Sequence, residues 1–318
     1  MDYSVYCTNF IPNEFDAYFK NKNCFSMINL NIQSLRSNFQ KLELFLGALS
    51  KPIDVICLTE TFIYDNETHY FHLDGYTFVG KERASRGGGV GAYVRDGVAA
   101  VMEAESVRIA GTETLRVKLK GGIFSNLAGG LSVSIIYRQP TSDIPTFLDD
   151  LEQYLYSIKT MPYHILTGDI NINILSKHGP GSEYENILSI ANHKNLINIP
   201  TRINSCLDHI CTNFENKFFS TGTITTSISD HLPTFILIED ISEQFSKPVR
   251  NLRDFKNFKD ADFLRIVLIV IGTNLCIAIL MLTKCTTVFQ RYFQKFVKSM
   301  HHLKTFLLLI KKILKNHG

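Results

Sequence analysis

The sequence lacks the marks of an exported or zinc-stapled protein. Its seven cysteines (Cys7, Cys24, Cys57, Cys206, Cys211, Cys276 and Cys285) are odd in number and include no C-x-x-C pair. This argues against a disulfide framework and against the tight ligand runs of structural zinc, and points to reduced thiols in a cytosolic or nuclear compartment. The start, Met1-Asp2-Tyr3-Ser4, lacks the basic residues and apolar stretch of a secretory signal, so Asn66-Glu67-Thr68 reads as a chance glycosylation pattern. No Gly-Lys-Ser/Thr follows Gly87-Gly88-Gly89-Val90-Gly91, and a strand-like run comes next, so this stretch is a turn into a strand and not a phosphate loop. Acidic residues are scarce at one end: residues 241–318 hold 4 Asp/Glu against 14 Lys/Arg, leaving 26 against 19 in residues 1–240. An acidic body and a basic tail are thus separate parts.

Within its 318 residues, 45% of them hydrophobic, the chain has room for one large domain and an appendage. Residues 1–24 show no clear period and read as a lead-in. Met27–Ile32 is a strand candidate, Asn38–Leu49 carries Leu42, Leu44, Phe45 and Leu49 at helical spacing, and Asp54–Leu58 is a second strand. Short runs follow at Tyr76–Val79, Val90–Val94, Val98–Val101, Thr114–Leu119 and Leu131–Tyr137, spaced as antiparallel hairpins. Phe147–Ile158 is an amphipathic helix, Tyr163–Thr167 a strand, Glu183–Asn195 a helix, and Leu207–Cys211 and Leu232–Ile238 the last strands. Helix-flanked halves rich in strands predict an α/β sandwich of two sheets packed face to face with helices outside. The domain is expected over residues 25–240, with a helical tail over 241–318.

In that tail, Ile266–Thr283 runs for 18 residues without a charge, the minimum for a membrane span. Gly272-Thr273-Asn274 in its middle favours instead a helix packed on the domain or a partner. Phe289–Leu314 is basic and amphipathic, which suits a helix with one buried face or a nucleic-acid arm.

The polar residues fall at the ends of apolar runs. Glu60 follows Val55-Ile56-Cys57-Leu58, so its carboxylate emerges at a strand end. Asp169 follows Ile165-Leu166-Thr167-Gly168, where glycine would let a substrate approach, and Asn171 points to the same side if the chain stays extended. Tyr137 ends Val133-Ser134-Ile135-Ile136 and reads equally as core. Asp208 and His231 are candidates for an orienting pair, the carboxylate fixing the imidazole tautomer. Phosphodiester hydrolysis calls for such groups: oxygen ligands for a hard cation, a base for water and donors for developing charge.

The order of these motifs resembles the endonuclease/exonuclease/phosphatase superfamily, and more closely the apurinic-type endonuclease domain of non-long-terminal-repeat (LINE-like) retrotransposons. The resemblance rests on Asn31-Ile32-Gln33-Ser34-Leu35, Leu58-Thr59-Glu60-Thr61, Tyr137-Arg138-Gln139-Pro140, Gly168-Asp169-Ile170-Asn171 and Ser229-Asp230-His231. Thr201-Arg202-Ile203 before Leu207-Asp208-His209-Ile210 is similar to the same lineage. It implies a four-layer α/β sandwich, Mg²⁺ with Mn²⁺ as an alternative, and a DNA nick that leaves a 3′ hydroxyl. By resemblance, Glu60 is the principal metal ligand, helped by Asn31 and Asp230. Asp169 orients or deprotonates water, Asn171 holds the phosphate, His231 paired with Asp208 contacts a phosphoryl oxygen, and Tyr137 stabilises the leaving oxygen. Gln33 stands where cellular repair members carry a metal-assisting Asp, implying weaker metal affinity.

The tail from Lys284 to Lys315 is similar to the linker before a polymerase, so the chain reads as a truncated element-derived copy. Its partners would be DNA, with element RNA or a reverse transcriptase supplied in trans, and its location nuclear or cytoplasmic. Two alternatives are a membrane-associated phosphodiesterase anchored through residues 266–283 and a DNA- or partner-binding relic with an idle site.

Overall fold

Apolar runs throughout the domain are buried, and the alternation of their side chains says against what. The computed structural model describes residues 7–64, 67–80, 88–176, 178–214 and 219–239. The expectations for residues 266–283 and 289–314 lie outside the described residues, and so do parts of the loops at 80–89 and 176–181. In chain order the elements are β1 (Cys7–Phe10), α1 (Pro12–Phe19), β2 (Cys24–Asn31), α2 (Leu35–Gly47), β3 (Val55–Thr59), β4 (Tyr76–Gly80) and β5 (Val90–Arg95). There follow β6 (Val101–Glu105), β7 (Thr112–Lys120), β8 (Leu131–Arg138), α3 (Ile144–Ser157), β9 (His164–Asp169) and α4 (Pro180–Ile190). The last are β10 (Lys194–Asn195), β11 (Asp208–Thr212), β12 (Phe219–Ile224) and β13 (Thr234–Glu239).

The strands form two mixed sheets, ordered β1-β12-β13-β2-β3-β5-β4 and β10-β11-β9-β8-β7-β6. Successive residues of a strand face opposite ways. In the first sheet Met27, Val55, Cys57 and Ile236 therefore face the second sheet and share one cluster with its Val117, Val133 and Ile165. Their neighbours Ile28, Leu30, Ile56, Leu58, Phe235 and Leu237 face outward, onto Phe15 and Phe19 of α1 and Leu42 and Phe45 of α2. Helices α3 and α4 bring Phe147, Leu151, Tyr184 and Ile187 into the cluster that holds the second sheet. The result is the expected α/β sandwich, two sheets flanked by helices. Each fully buried Phe or Leu contributes roughly 1.5–3 kcal/mol.

Local chemistry sets several boundaries. Ser34 Oγ accepts from Ser37 N at 3.3 Å and starts α2, and Asp143 Oδ2 accepts from Thr146 N at 2.9 Å and starts α3.

Several expectations are corrected. The supposed lead-in contains β1, which pairs in parallel with β12, and α1, which covers the first sheet. In α2, Leu44 is 69% exposed although it shares the apolar spacing. Val98 is buried in a turn and the strand begins only at Val101. Helix α4 stops at Ile190, and Lys194–Asn195 pairs with β11 instead of continuing the helix. No helix among the described residues is long and apolar enough to cross a membrane.

Candidate active site

The topology collects the polar strand ends at one end of both sheets. Strands β2 and β3 are parallel with Asn31 opposite Thr59, so Asn31 and the next residue of the neighbouring chain segment, Glu60, emerge together. Strand β11 runs antiparallel to β9 and starts where β9 ends, with Asp208 opposite Asp169. Ser229 joins the last segment to this end, its Oγ donating to Asn31 O at 2.6 Å.

At the centre, Asn31 Nδ2 donates to Glu60 Oε1 at 2.9 Å and to Asp169 Oδ2 at 2.8 Å. Asp169 Oδ1 accepts the Asn171 backbone N–H at 3.0 Å, and Asn171 Nδ2 donates at 3.2 Å to Oδ2, the oxygen that Asn31 also reaches. His231 Nδ1 lies 2.8 Å from Asp208 Oδ2, which also accepts from Thr201 Oγ1 at 2.7 Å. Because a carboxylate only accepts, His231 presents its Nδ1 proton to Asp208 and leaves Nε2 for other partners. Tyr137 is buried, with the Glu60 carboxylate close enough to act on its phenol.

These groups are buried, and burial governs their protonation. Asp169 is pushed up from 3.8 to about 7, first by desolvation and then by the nearby Asp208 charge, with His231 and Asn31 opposing. For His231 desolvation favours the neutral ring, but the hydrogen bond and charge of Asp208, then Asp169 and Asp230, outweigh it and raise the group to about 9. Burial, then Glu60, Asp169 and Glu113, push the Tyr137 phenol far up, so it stays a proton donor at neutral pH.

The backbone that holds these side chains is strained. Gln33, Glu60 and Asn171 have φ of 47°, 51° and 51°, left-handed values that non-glycine residues adopt only where surroundings impose them. Glu60 is pinned on both sides: Ser34 N donates to Glu60 O at 2.8 Å, and Thr61 N and Phe62 N donate to the Gly89 and Gly88 carbonyls. Two sequence arguments are corrected here. Gly168 is required because a Cβ there would lie 1.9 Å from Ile136 O; the close neighbour is the adjacent strand and not a substrate. Asn171 meets Asp169 through a left-handed turn and not along an extended chain.

Asp230 sits apart from its expected partners. Its side chain is 47% exposed and held by Arg202, with Nη2 at 2.6 Å, and by Gln33 Nε2; its Oδ1 is 4.0 Å from His231 Nε2. The structure thus brings Asn31, Glu60, Tyr137, Asp169, Asn171, Asp208 and His231 together and leaves Asp230 at the rim. Sequence reasoning gave no role to Thr201, Glu113 or Arg138. Thr201 and Arg138 lay inside motifs already singled out. Glu113, which accepts from Gly89 N, is the second residue of β7 and carries no sequence signal.

Asp169, Asp208 and His231 offer ligand atoms within 4.8 Å of one another, an arrangement compatible with a divalent-metal site. The hydrogen bond between Asp208 and His231 accounts for part of that closeness, and a protonated imidazole does not ligate. The better-suited donors are the oxygens of Glu60 and Asn31, hard ligands of the kind Mg²⁺ or Mn²⁺ accepts. The buried Asp208 Oδ1 has no protein partner, and two buried carboxylates this close favour a compensating cation. The residues fit the group.

No family model matches the sequence, and no curated protein matches it. Solved structures do match in fold. The AP endonuclease LMAP from Leishmania major superposes with a TM-score of 0.53 at 17% identity, covering 73% of this chain and 93% of that one. TDP2 from D. rerio, complexed with single strand DNA product, gives 0.51 at 14%, covering 68% and 98%. The 3′ phosphatase NExo from Neisseria, bound to product DNA hairpin, gives 0.50 at 14%, covering 68% and 99%. The fold is therefore the one that these three proteins share.

Proposed function

We propose that the protein is a metal-dependent phosphodiester hydrolase that nicks DNA, derived from the endonuclease of a LINE-like retrotransposon. The observation that carries this reading is the convergence on Asp169. One carboxylate, with a pKa of about 7, is oriented by two amides beside a buried Asp208–His231 pair. A group titrating near neutral pH is matched to abstracting a proton from water. His231, protonated at neutral pH, is a charged donor to a phosphoryl oxygen, and Asp208 holds its tautomer. Asn171, by giving up its longer 3.2 Å bond to Asp169 Oδ2, presents an amide proton to the phosphate, and the Tyr137 phenol supplies a proton or hydrogen bond to the departing 3′ oxygen. A divalent cation held by Glu60 and Asn31 would offset negative charge on the phosphoryl oxygens. The choice of Mg²⁺ and of DNA rests on the motif resemblance, and the DNA reading is supported by the nucleic acid in two of the matched structures.

The test is conversion of supercoiled plasmid to open circle by the purified full chain, with Mg²⁺ or EDTA. Wild type is expected to nick only with metal. Asp169→Ala and His231→Ala should lose on the order of 10²–10⁴-fold in rate, the scale of a lost general base or acid. A folded wild type that nicks no DNA with any divalent metal would end this reading.

A further inference from the structure

Arg138 lies inside one of the motifs that point to the site, but the chemistry above gives it nothing to do. Its side chain is 1% exposed, among the largest fully buried side chains of the described residues. Burying a guanidinium is costly, and the usual compensation is a carboxylate partner. Arg138 has instead a set of oxygens from backbone and hydroxyl. Nε donates to Ile170 O at 2.7 Å and Nη2 to Asn171 O at 2.9 Å. Nη1 donates to Ser142 O at 2.8 Å and Ser142 Oγ at 3.0 Å. In return Asn171 Nδ2 donates to Arg138 O at 2.9 Å.

Two successive carbonyls, those of Ile170 and Asn171, thus converge on one planar fork. Carbonyls of neighbouring residues point opposite ways in an extended chain, so gripping both requires the bend that the left-handed Asn171, φ 51°, provides. A rigid fork with five N–H donors is suited to this and a lysine ammonium is not. The same bend turns the Asn171 side chain back onto Asp169 Oδ2.

We infer that Arg138 is a positioning residue for the proposed hydrolysis: it holds the Asp169–Asn171 turn in its strained form, and so sets the Asn171 amide and the Asp169 carboxylate in their working orientation. The inference rests on the proposed function for its kinetic consequences and on geometry alone for its structural ones.

The test takes the full chain as wild type, Arg138→Lys, Asn171→Ala and the double variant. Two measurements are made on each. The first is steady-state nicking of a defined duplex oligonucleotide with Mg²⁺. Arg138→Lys is expected to lower kcat about 10²-fold, the cost of misplacing a reacting group by an ångström, with KM within about threefold. The double variant should be no slower than about threefold below Asn171→Ala, because residues acting as a unit are not additive. The second is hydrogen exchange of the Asn171 side-chain amide in Asn-labelled protein, assigned by its loss in Asn171→Ala. It should be slow in wild type and accelerated at least about tenfold in Arg138→Lys. Multiplicative kinetic losses, or an unchanged amide exchange rate, would overturn the inference. A wild type that nicks nothing would end the proposed function and still leave the exchange measurement to decide on Arg138. If Arg138→Lys does not fold, Ser142→Ala removes one acceptor and leaves the arginine; it should speed the same exchange about threefold, and no change would count against the inference.

Discussion

At the scale of single residues, the site stores charge where water cannot reach it, and this gives the metal-free protein an unusual pH dependence. Asp169 is raised from 3.8 to about 7, so between these values the folded state holds a proton that the unfolded state has released. Stability then falls as pH rises through that window. His231, raised from 6.5 to about 9, adds stability that is complete below 6.5 and is lost as pH rises through 9. Urea unfolding in EDTA should therefore give falling stability from pH 5 to 7 and again from 7 to 9. Asp169→Asn should flatten the first interval and His231→Gln the second. Wild-type stability that rises across both intervals would refute the assignment.

Strain is the other cost at this scale. Ile203 is β-branched, 86% exposed and left-handed, with φ 50°. Ile203→Gly should stabilise the fold by roughly 1 kcal/mol, read as a higher urea midpoint. That Asp169, Asn171, Asp208 and His231 come together was legible because each follows or precedes an apolar run in a particular order. Their backbone conformations were not. Nothing in Thr59-Glu60-Thr61 announces a left-handed glutamate, because the contacts that impose it come from Ser34 and from the glycines at 88 and 89.

At the scale of elements, the strands that sit between other strands were the easiest to read. In β2, β3, β8 and β13 nearly every residue is buried, so each appears as an apolar run whatever its neighbours. Strands near the sheet margin lack that signal. The edge strand β1 has two exposed central residues and owes its structure to β12, about two hundred residues further on; its neighbour β12, Phe-Ser-Thr-Gly-Thr-Ile, has only small residues at its centre. The glycines divide in the same way. Gly168→Ala would drive a Cβ to 1.9 Å from Ile136 O at a φ of 136°, and more than about 3 kcal/mol of stability should be lost. Gly97 has a φ of 80° and open space around it, so Gly97→Ala should cost only about 1 kcal/mol. Thermal unfolding of the two variants separates them; equal losses would mean that β8 and β9 are less closely packed than described.

At the scale of the whole molecule, the N-terminal segment has a greater role than its sequence suggests. Phe15 and Phe19 of α1 lie fully buried on the outer face of the first sheet, with Phe15 against Phe235 at 4.9 Å between ring centroids. Removing residues 1–22 uncovers Phe235 and Leu237 and leaves β12 as an open edge. The shortened protein is expected to aggregate or to bind a hydrophobic dye, losing several kcal/mol, the scale of two deleted core phenylalanines at about 3–5 kcal/mol each. A soluble, cooperatively unfolding product of unchanged midpoint would show that α1 and β1 are dispensable.

The order of the first sheet also bears on when during synthesis this protein can exist. Strand β2, near the start, is hydrogen-bonded on one side to β13, whose residues 234–239 emerge some two hundred positions later. Strand β1 waits likewise for β12, and His231 reaches Asn31's end of the sheet only with that last pairing. Such long-range closure is slow, and a nascent chain must keep its apolar strands apart from others until it is nearly whole. Until residue 239 has left the ribosome, His231 cannot meet Asp208 beside Asn31 and Asp169, so on the proposed function an unfinished copy of this chain would be an inactive one.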